Sequence, residues 1–314
     1  MKPEARILVT GGSGMLGSAL MRALANAGYT STFSPARSEM DLTREESVRA
    51  MFKEYQPEHV FMVGAKVGGI AANIADPVGF LETNLLMQSS VFRACAAFPP
   101  LRSVFVGSSC IYPRGSPQPM REEYLLTGPL EPTNEGYALA KIVGLKLAEA
   151  YERQHRIHII TPMFCNLYGT GDHFDFAQSH VLSALVRRFV DATDTAAPTV
   201  TVWGTGSARR EFLHVDDAAD SLIFLINHRE TSEPINVGMG TDVSIRELAN
   251  LIARTVDYAG KIEWDLSKPD GMPVKRLDVS RMRAMGFVPK VSLQQGIEKT
   301  VSEYRTRKAQ GLVR

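Results

Sequence analysis

RILVTGGSGMLGSALMRALANAG, residues 6–28, decides the fold. RILVT (6–10) is β-rich, and MLGSALMRALANAG (15–28) has apolar residues at helical spacing and a closing glycine. Gly11, Gly14 and Gly17 mark the junction of the two, with Gly17 already in the first turn of the helical stretch. Alone, a glycine triplet is weak evidence. Here its strand–turn–helix context makes it specific, because glycines allow a tight turn on which a pyrophosphate can meet the free N–H groups of a helix start.

Downstream, the same alternation continues. Strands are predicted at YTSTFS (29–34), HVFMVGA (59–65), SVFVGSS (103–109) and IHIITPM (157–163). Helices are predicted at 43–55, where Asp41 or Thr43 could provide the cap, and at 80–98 and 137–155. Strands alternating with helices predict βαβ units, hence a Rossmann-type, doubly wound α/β fold with a parallel sheet. After about residue 169 the elements become shorter and mixed: TVTVWG (199–204), IRELANLIARTV (245–256) and KIEWDL (261–266). We therefore expect a dinucleotide-binding domain over 1–169, with 210–236, a segment that opens on REFLHVDDAADSLIFLI (210–226), returning to it. Residues 170–314 form mainly a smaller, interleaved α/β substrate lobe, and the polar last ten residues are expected to fray.

The chain has 314 residues, 44% hydrophobic and 22% charged, with a formal net charge of +1. That balance gives no basic stripe for nucleic acid and no case for an anionic membrane. Cys95, Cys110 and Cys165 are odd in number and widely spaced, so neither a disulfide framework nor a metal site is expected. The first strand begins within a few residues of Met1, leaving no room for a signal peptide, and no apolar run is long enough to span a bilayer. A reducing cytoplasm is the expected location.

The end of the second strand reports on the dinucleotide. NAD sites usually place a carboxylate there for the ribose hydroxyls. FSPAR (33–37) has none and offers Arg37, whose guanidinium suits a 2′-phosphate, so NADP is expected. In MDLT (40–43), Asp41 could reach the adenine while Leu42 packs on it.

YALAK (137–141) sets Tyr137 and Lys141 on one face of a helix. A tyrosine of ordinary pKa, about 10, exchanges protons poorly at neutral pH, and a nearby ammonium is expected to lower that value. Ser108, at the end of the fourth strand, could hydrogen-bond the phenol and a substrate carbonyl. Together the three suit hydride transfer to a carbonyl, with the tyrosine supplying the proton.

With the glycine turn, these residues resemble the extended short-chain dehydrogenase/reductase family, and the resemblance narrows. AKVGGI (65–70), GSSCIYP (107–113), EPTNEGYALAK (131–141), NLYG (166–169), SHVLSALVRRF (179–189), VWGTG (202–206), REFLHVDD (210–217), INVG (235–238) and KPDG (268–271) resemble, in order, the segments of the GDP-L-fucose synthase family. Its members are 3,5-epimerase/4-reductases acting on GDP-4-keto-6-deoxy-D-mannose with NADPH. The resemblance implies that Cys110 is the base and His180 the acid for inversion at C3 and C5, with Ser108 and Tyr137 steadying the enolate. It implies that Lys141 holds the nicotinamide ribose, and that Ser13, Met15, Leu16, Ala65, Phe164, Asn166, Leu167 and His180 also line the cofactor site. For the GDP-sugar it implies Asn166, Arg188, Trp203, Arg210 and Asp270, and for assembly a homodimer through the two long helices. One departure is Ser13, where some members carry an arginine for the 2′-phosphate, which leaves more of the NADP preference to Arg37.

Three other readings bear on these residues. A 4,6-dehydratase needs a carboxylate pair where this chain has Ser109 and Cys110. An epimerase/reductase for a related sugar such as GDP-L-colitose could use the same residues, and only pocket shape would separate it. A silent dinucleotide sensor would have no need of Ser108, Tyr137 and Lys141 together.

Overall fold

The computed structural model describes residues 1–175, 179–268 and 270–313. In chain order, β1 (Ile7–Thr10) enters α1 (Met15–Asn26); β2 (Thr32–Phe33), α2 (Glu45–Tyr55), β3 (His59–Met62), α3 (Ile70–Ala75) and α4 (Pro77–Ala97) come after it. Next come β4 (Arg102–Phe105), β5 (Gly107–Ser108), α5 (Glu135–His155), β6 (Ile159–Phe164), β7 (Asn166–Tyr168) and α6 (Val181–Asp194). The remainder is β8 (Thr199–Trp203), β9 (Arg209–Arg210), β10 (Phe212–His214), α7 (Val215–His228), β11 (Pro234–Val237), β12 (Val243–Ser244) and α8 (Ile245–Thr255). The chain then forms β13 (Lys261–Asp265), β14 (Val274–Lys275), α9 (Ser280–Ala284) and α10 (Leu293–Ala309).

The main sheet has the order β11-β6-β4-β3-β1-β2, with β5 also beside β6, and every pairing in it is parallel. β1, β3 and β6 are buried along their whole length, as expected of strands covered on both faces. One cover is α1 packed with α7; the other is α2, α4 and α5. β1 sits between β2 and β3, so the chain direction across the sheet reverses there. A ligand crevice is expected outside the strand ends at such a point.

Residues 210–236 supply α7 against α1 and β11 against β6. A second core gathers Leu182, Val186 and Phe189 of α6, Val200 and Val202 of β8, Leu248 and Ile252 of α8, and Ile297, Val301 and Tyr304 of α10. Beside it lie two small sheets, β13-β8 and β12-β9-β14.

Several local expectations change. Neither Asp41 nor Thr43 caps α2: Arg44 holds the cap position, while Asp41 Oδ1 accepts from Thr43 N (3.0 Å) and Oγ1 (2.7 Å), closing a turn ahead of the helix. The single strand predicted over 103–109 divides at Val106, whose carbonyl accepts a lysine rather than a ladder N–H. The chain end predicted to fray stays helical through Ala309. Tyr304 is buried and its hydroxyl donates to Asp191 (2.8 Å), while Lys308 reaches Asp191 (2.6 Å) and Asp194 (2.7 Å).

Candidate functional site

The glycine turn is built for a ligand that approaches bare backbone. Gly11 has φ of +74°, and a Cβ at Gly17 would fall 2.0 Å from the Gly11 carbonyl oxygen. α1 begins at Gly14 with no side-chain cap and no acidic residue in its first turn, so its leading N–H groups and positive end face outward. Met15 is half-buried, Leu16 is buried, and Ser13 stands exposed at the tip of the turn. Gly12 N donates to Ser34 Oγ at 3.1 Å, tying the turn to the end of β2, a contact that the sequence pattern did not signal.

At the end of β2, Arg37 is exposed. The acid of that loop, Glu39, accepts from Ala36 N at 2.7 Å and is committed to its own backbone. Asp41 is likewise held by Thr43, which keeps its carboxyl below the usual range. Leu42 lies against Gly64, just past β3 and next to the half-buried Ala65. A dinucleotide fits this edge: a bare cradle for the pyrophosphate, and an exposed guanidinium whose nearby acids, Glu39 and Asp41, are already taken up by hydrogen bonds within their own loop.

Ser108, Cys110, Tyr137 and Lys141 meet at the end of β5. Ser108 pairs with Phe164 of β6, and its hydroxyl accepts from Cys110 N at 3.4 Å across a 3-10 turn over Ser109–Ile111. Lys141 is buried and donates from Nζ to the Val106 carbonyl at 2.7 Å. Its ammonium lies 4.8 Å from the Phe105 ring centre and 5.7 Å from that of Tyr137. Burial lowers the Lys141 pKa to about 8.

The expected lowering of the Tyr137 pKa does not occur. Burial pushes the phenol up and the Cys110 thiol adds to the effect, while the Lys141 amine is turned to Val106 rather than to the phenol oxygen. Tyr137 is therefore protonated at neutral pH, the form needed to give a proton away. Burial also raises the Cys110 thiol, opposed first by Lys275, then by the Ser108 hydroxyl and Lys141.

Phe164 is buried at the end of β6, and Asn166 and Leu167 are half-buried on β7. Asn166 Nδ2 donates to the Glu211 carbonyl at 3.1 Å. His180 holds the cap position of α6 and is exposed. Burial raises the carboxyl pKa of Asp172, opposed by the hydrogen bond it accepts from Ser183 Oγ in the first turn of that helix and by the nearby His180.

Arg188 and Arg210 both have their pKa lowered by burial. Arg188 Nη1 donates to the Thr201 carbonyl, and Arg210 Nη1 to the carbonyls of Arg209 (2.8 Å) and Met272 (2.6 Å). Trp203 is 63% exposed, an indole open to a flat ligand. Asp270 accepts from Thr205 N and Oγ1, both at 2.7 Å, and carries a charge facing Arg210. Pro269 of the KPDG stretch lies outside the described residues.

Sequence reasoning missed Asp172, Glu211 and Lys275. Glu211 and Lys275 come from segments far apart in the chain that meet through the β9–β14 ladder and through the Glu211 carboxylate, which accepts from Leu277 N. For Glu211, an acid running directly into the mostly apolar FLHV of REFLHV was the available signal.

Among the described residues no group of His, Cys, Asp and Glu is arranged to hold a metal ion. No helix among them is long and apolar enough to cross a membrane.

Fold and site together define a dinucleotide-binding enzyme of the short-chain dehydrogenase/reductase type. The chain belongs to the NAD dependent epimerase/dehydratase family, which it matches over residues 7–238, and within it to the GDP-L-fucose synthases. It is 48% identical over 300 residues to the probable GDP-L-fucose synthase 1 of Oryza sativa subsp. japonica, covering 95% of this chain and 92% of that one. It is 43% identical to the GDP-L-fucose synthase of Escherichia coli (strain K12), covering 94% and 95%. Among solved structures, a GDP-D-glycero-L-gluco-heptose synthase from Campylobacter jejuni, determined in the presence of NADPH, superposes with a TM-score of 0.90 at 31% identity, covering 98% and 99%.

Proposed function

We propose that the protein converts GDP-4-keto-6-deoxy-D-mannose to GDP-L-fucose, inverting C3 and C5 and then reducing C4. The observation that carries this reading is the meeting of Ser108, Cys110, Tyr137 and Lys141 at one strand end, with the thiol acting electrostatically on both the phenol and the amine.

C3 and C5 flank the C4 carbonyl, so each loses a proton to give an enolate. Cys110 takes that proton on one face of the ring and His180 returns one on the other. The Ser108 hydroxyl and the Tyr137 phenol hydrogen-bond the enolate oxygen. After inversion Tyr137, protonated at neutral pH, gives its proton to the C4 oxygen. NADPH, when bound, would supply the hydride equivalent for C4. The turn from Gly11 to Gly17, with Ser13, Met15 and Leu16, holds its pyrophosphate, Arg37 its 2′-phosphate, Asp41 and Leu42 its adenine end, and Lys141 its nicotinamide ribose. Ala65, Phe164, Asn166, Leu167 and His180 complete that wall.

Arg188 and Arg210 bind the GDP phosphates, Trp203 stacks on the guanine, and Asp270 and Asn166 orient the nucleotide sugar. Residues 1–169 with 210–236 serve the cofactor and 170–314 mainly the sugar nucleotide, a division supported by β11 lying against β6. Two copies pair through α4 and α5, where Val78, Leu86, Leu139 and Val143 are exposed. The three free cysteines suit a reducing cytoplasm.

The test is incubation with GDP-4-keto-6-deoxy-D-mannose and NADPH in D₂O. The expected product is GDP-L-fucose carrying solvent deuterium at both C3 and C5. Reduction with neither position exchanged sinks the epimerase half, and a C110S variant that exchanges at the wild-type rate removes Cys110 from the chemistry.

A further inference from the structure

Glu211 is fully buried, and burial raises its carboxyl pKa to about 7. Both of its oxygens are nonetheless used on main chain. Oε1 accepts from Gly240 N at 2.6 Å and Oε2 from Leu277 N at 2.7 Å. The neighbouring backbone is shaped to admit it, since a Cβ at Gly238 would lie 2.3 Å from Oε1. The carboxylate thus joins the turn after β11 to the residues just past β14, and the Glu211 carbonyl adds Asn166 of β7. Arg276 is the cation facing it, and Cys165 is the thiol on which its charge acts.

Leu277 lies two residues beyond Lys275. β14 runs parallel to β9 with Lys275 opposite Arg210, the residue before Glu211. The segment bearing Lys275 is therefore held on one side by the ladder and on the other by the carboxylate. Lys275 is the leading charge opposing the burial of Cys110, ahead of Lys141, and its own surroundings are Cys110, Arg210, Cys165 and Glu131.

We propose that Glu211 is a positioning residue that holds Lys275 beside Cys110, so that the lysine ammonium supports the thiolate that takes the sugar proton. The inference rests on the proposed role of Cys110 as the base. In that step the sulfur bonds to the proton from C3 or C5, and the C–H electron pair passes into the enolate. A buried thiol without a cation is a weak base at neutral pH, and a flexible lysine helps only if its backbone is fixed.

The experiment is the pH dependence of Cys110 alkylation by iodoacetamide, with peptide mapping that separates Cys110 from Cys95 and Cys165. It is run on the full chain as wild type, K275M, E211Q and K275M/E211Q. Each single variant should raise the midpoint by about one pH unit, equivalent to about tenfold less thiolate at fixed pH. The double variant should move no further than K275M alone. Additive shifts, or an E211Q protein with a lower Tm and an unmoved midpoint, overturn the proposal. If E211Q does not fold, E211D keeps the charge but its shorter arm cannot span both N–H groups; it should give a smaller upward shift, and no shift overturns the proposal. The C110S exchange assay separately decides whether the thiol takes part at all.

Discussion

The Lys141 amine donates to the Val106 carbonyl at 2.7 Å, at the point where the strand leading to Ser108 is interrupted. The bond joins α5 to the gap between β4 and β5, so the helix bearing Tyr137 and the strand end bearing Ser108 are located by one buried cation. Charge on that amine costs stability and serves the chemistry, and the two consequences separate with pH.

With a folded pKa of about 8, Lys141 binds fewer protons than in the unfolded chain, where a lysine titrates near 10.4. Between these values the unfolded state holds more protons, so this residue's contribution to stability rises with pH. Activity goes the other way: the alkaline limb of kcat/KM should fall with a midpoint near 8. K141M should lower kcat/KM by about 10²-fold or more and abolish that limb, as read from pH–rate profiles of C4 reduction.

Gly17→Ala should weaken cofactor binding with little change in chemistry once bound. The added methyl meets the Gly11 carbonyl, and relieving that contact opens the turn at a cost of about 1–3 kcal/mol. Titration of the change in NADPH fluorescence should give at least tenfold weaker binding. A variant that binds as tightly as wild type shows that the turn does not hold the pyrophosphate.

Arg37→Ala should act on one dinucleotide only. Losing an exposed guanidinium from the 2′-phosphate should raise KM for NADPH about tenfold and leave KM for NADH unchanged. Equal effects on both would assign Arg37 to general surface charge.

Leu139→Glu with Val143→Glu should separate the two copies. These side chains lie one turn apart on α5, at 38% and 40% exposure, and α4, which packs against α5, exposes Val78 and Leu86. Two carboxylates on an apolar face lose the burial that drives association and repel their symmetry mates. If the chain is the proposed homodimer, sedimentation should report about half the wild-type mass, and an unchanged mass overturns pairing through α4 and α5.

Elements whose role is local were readable from the chain itself. β1, the glycine turn and α1 follow from spacing and steric need, since only bare backbone admits the Gly17–Gly11 approach. Tyr137 and Lys141 share a face because four residues make about one helical turn. Ser108 was recognisable as a strand-end serine for a similar reason. The α3 helix was not legible, because six residues, Ile70–Ala75, lack the length for a periodic signal.

Sequence alone determined the sheet and the glycine cradle, because the strands, the helices and the turn between them are written in local spacing, and it nominated Ser108, Tyr137 and Lys141 from their places on a strand end and one helix face. Tertiary structure decided their protonation. It turned the Lys141 amine to Val106, which leaves the phenol protonated, and it buried the thiol. It also brought Lys275 into electrostatic reach of that thiol, on a segment that the distant Glu211 grips through Leu277 N. A pKa is set by desolvation and by charges near in space, and neither is written in the order of residues along a chain.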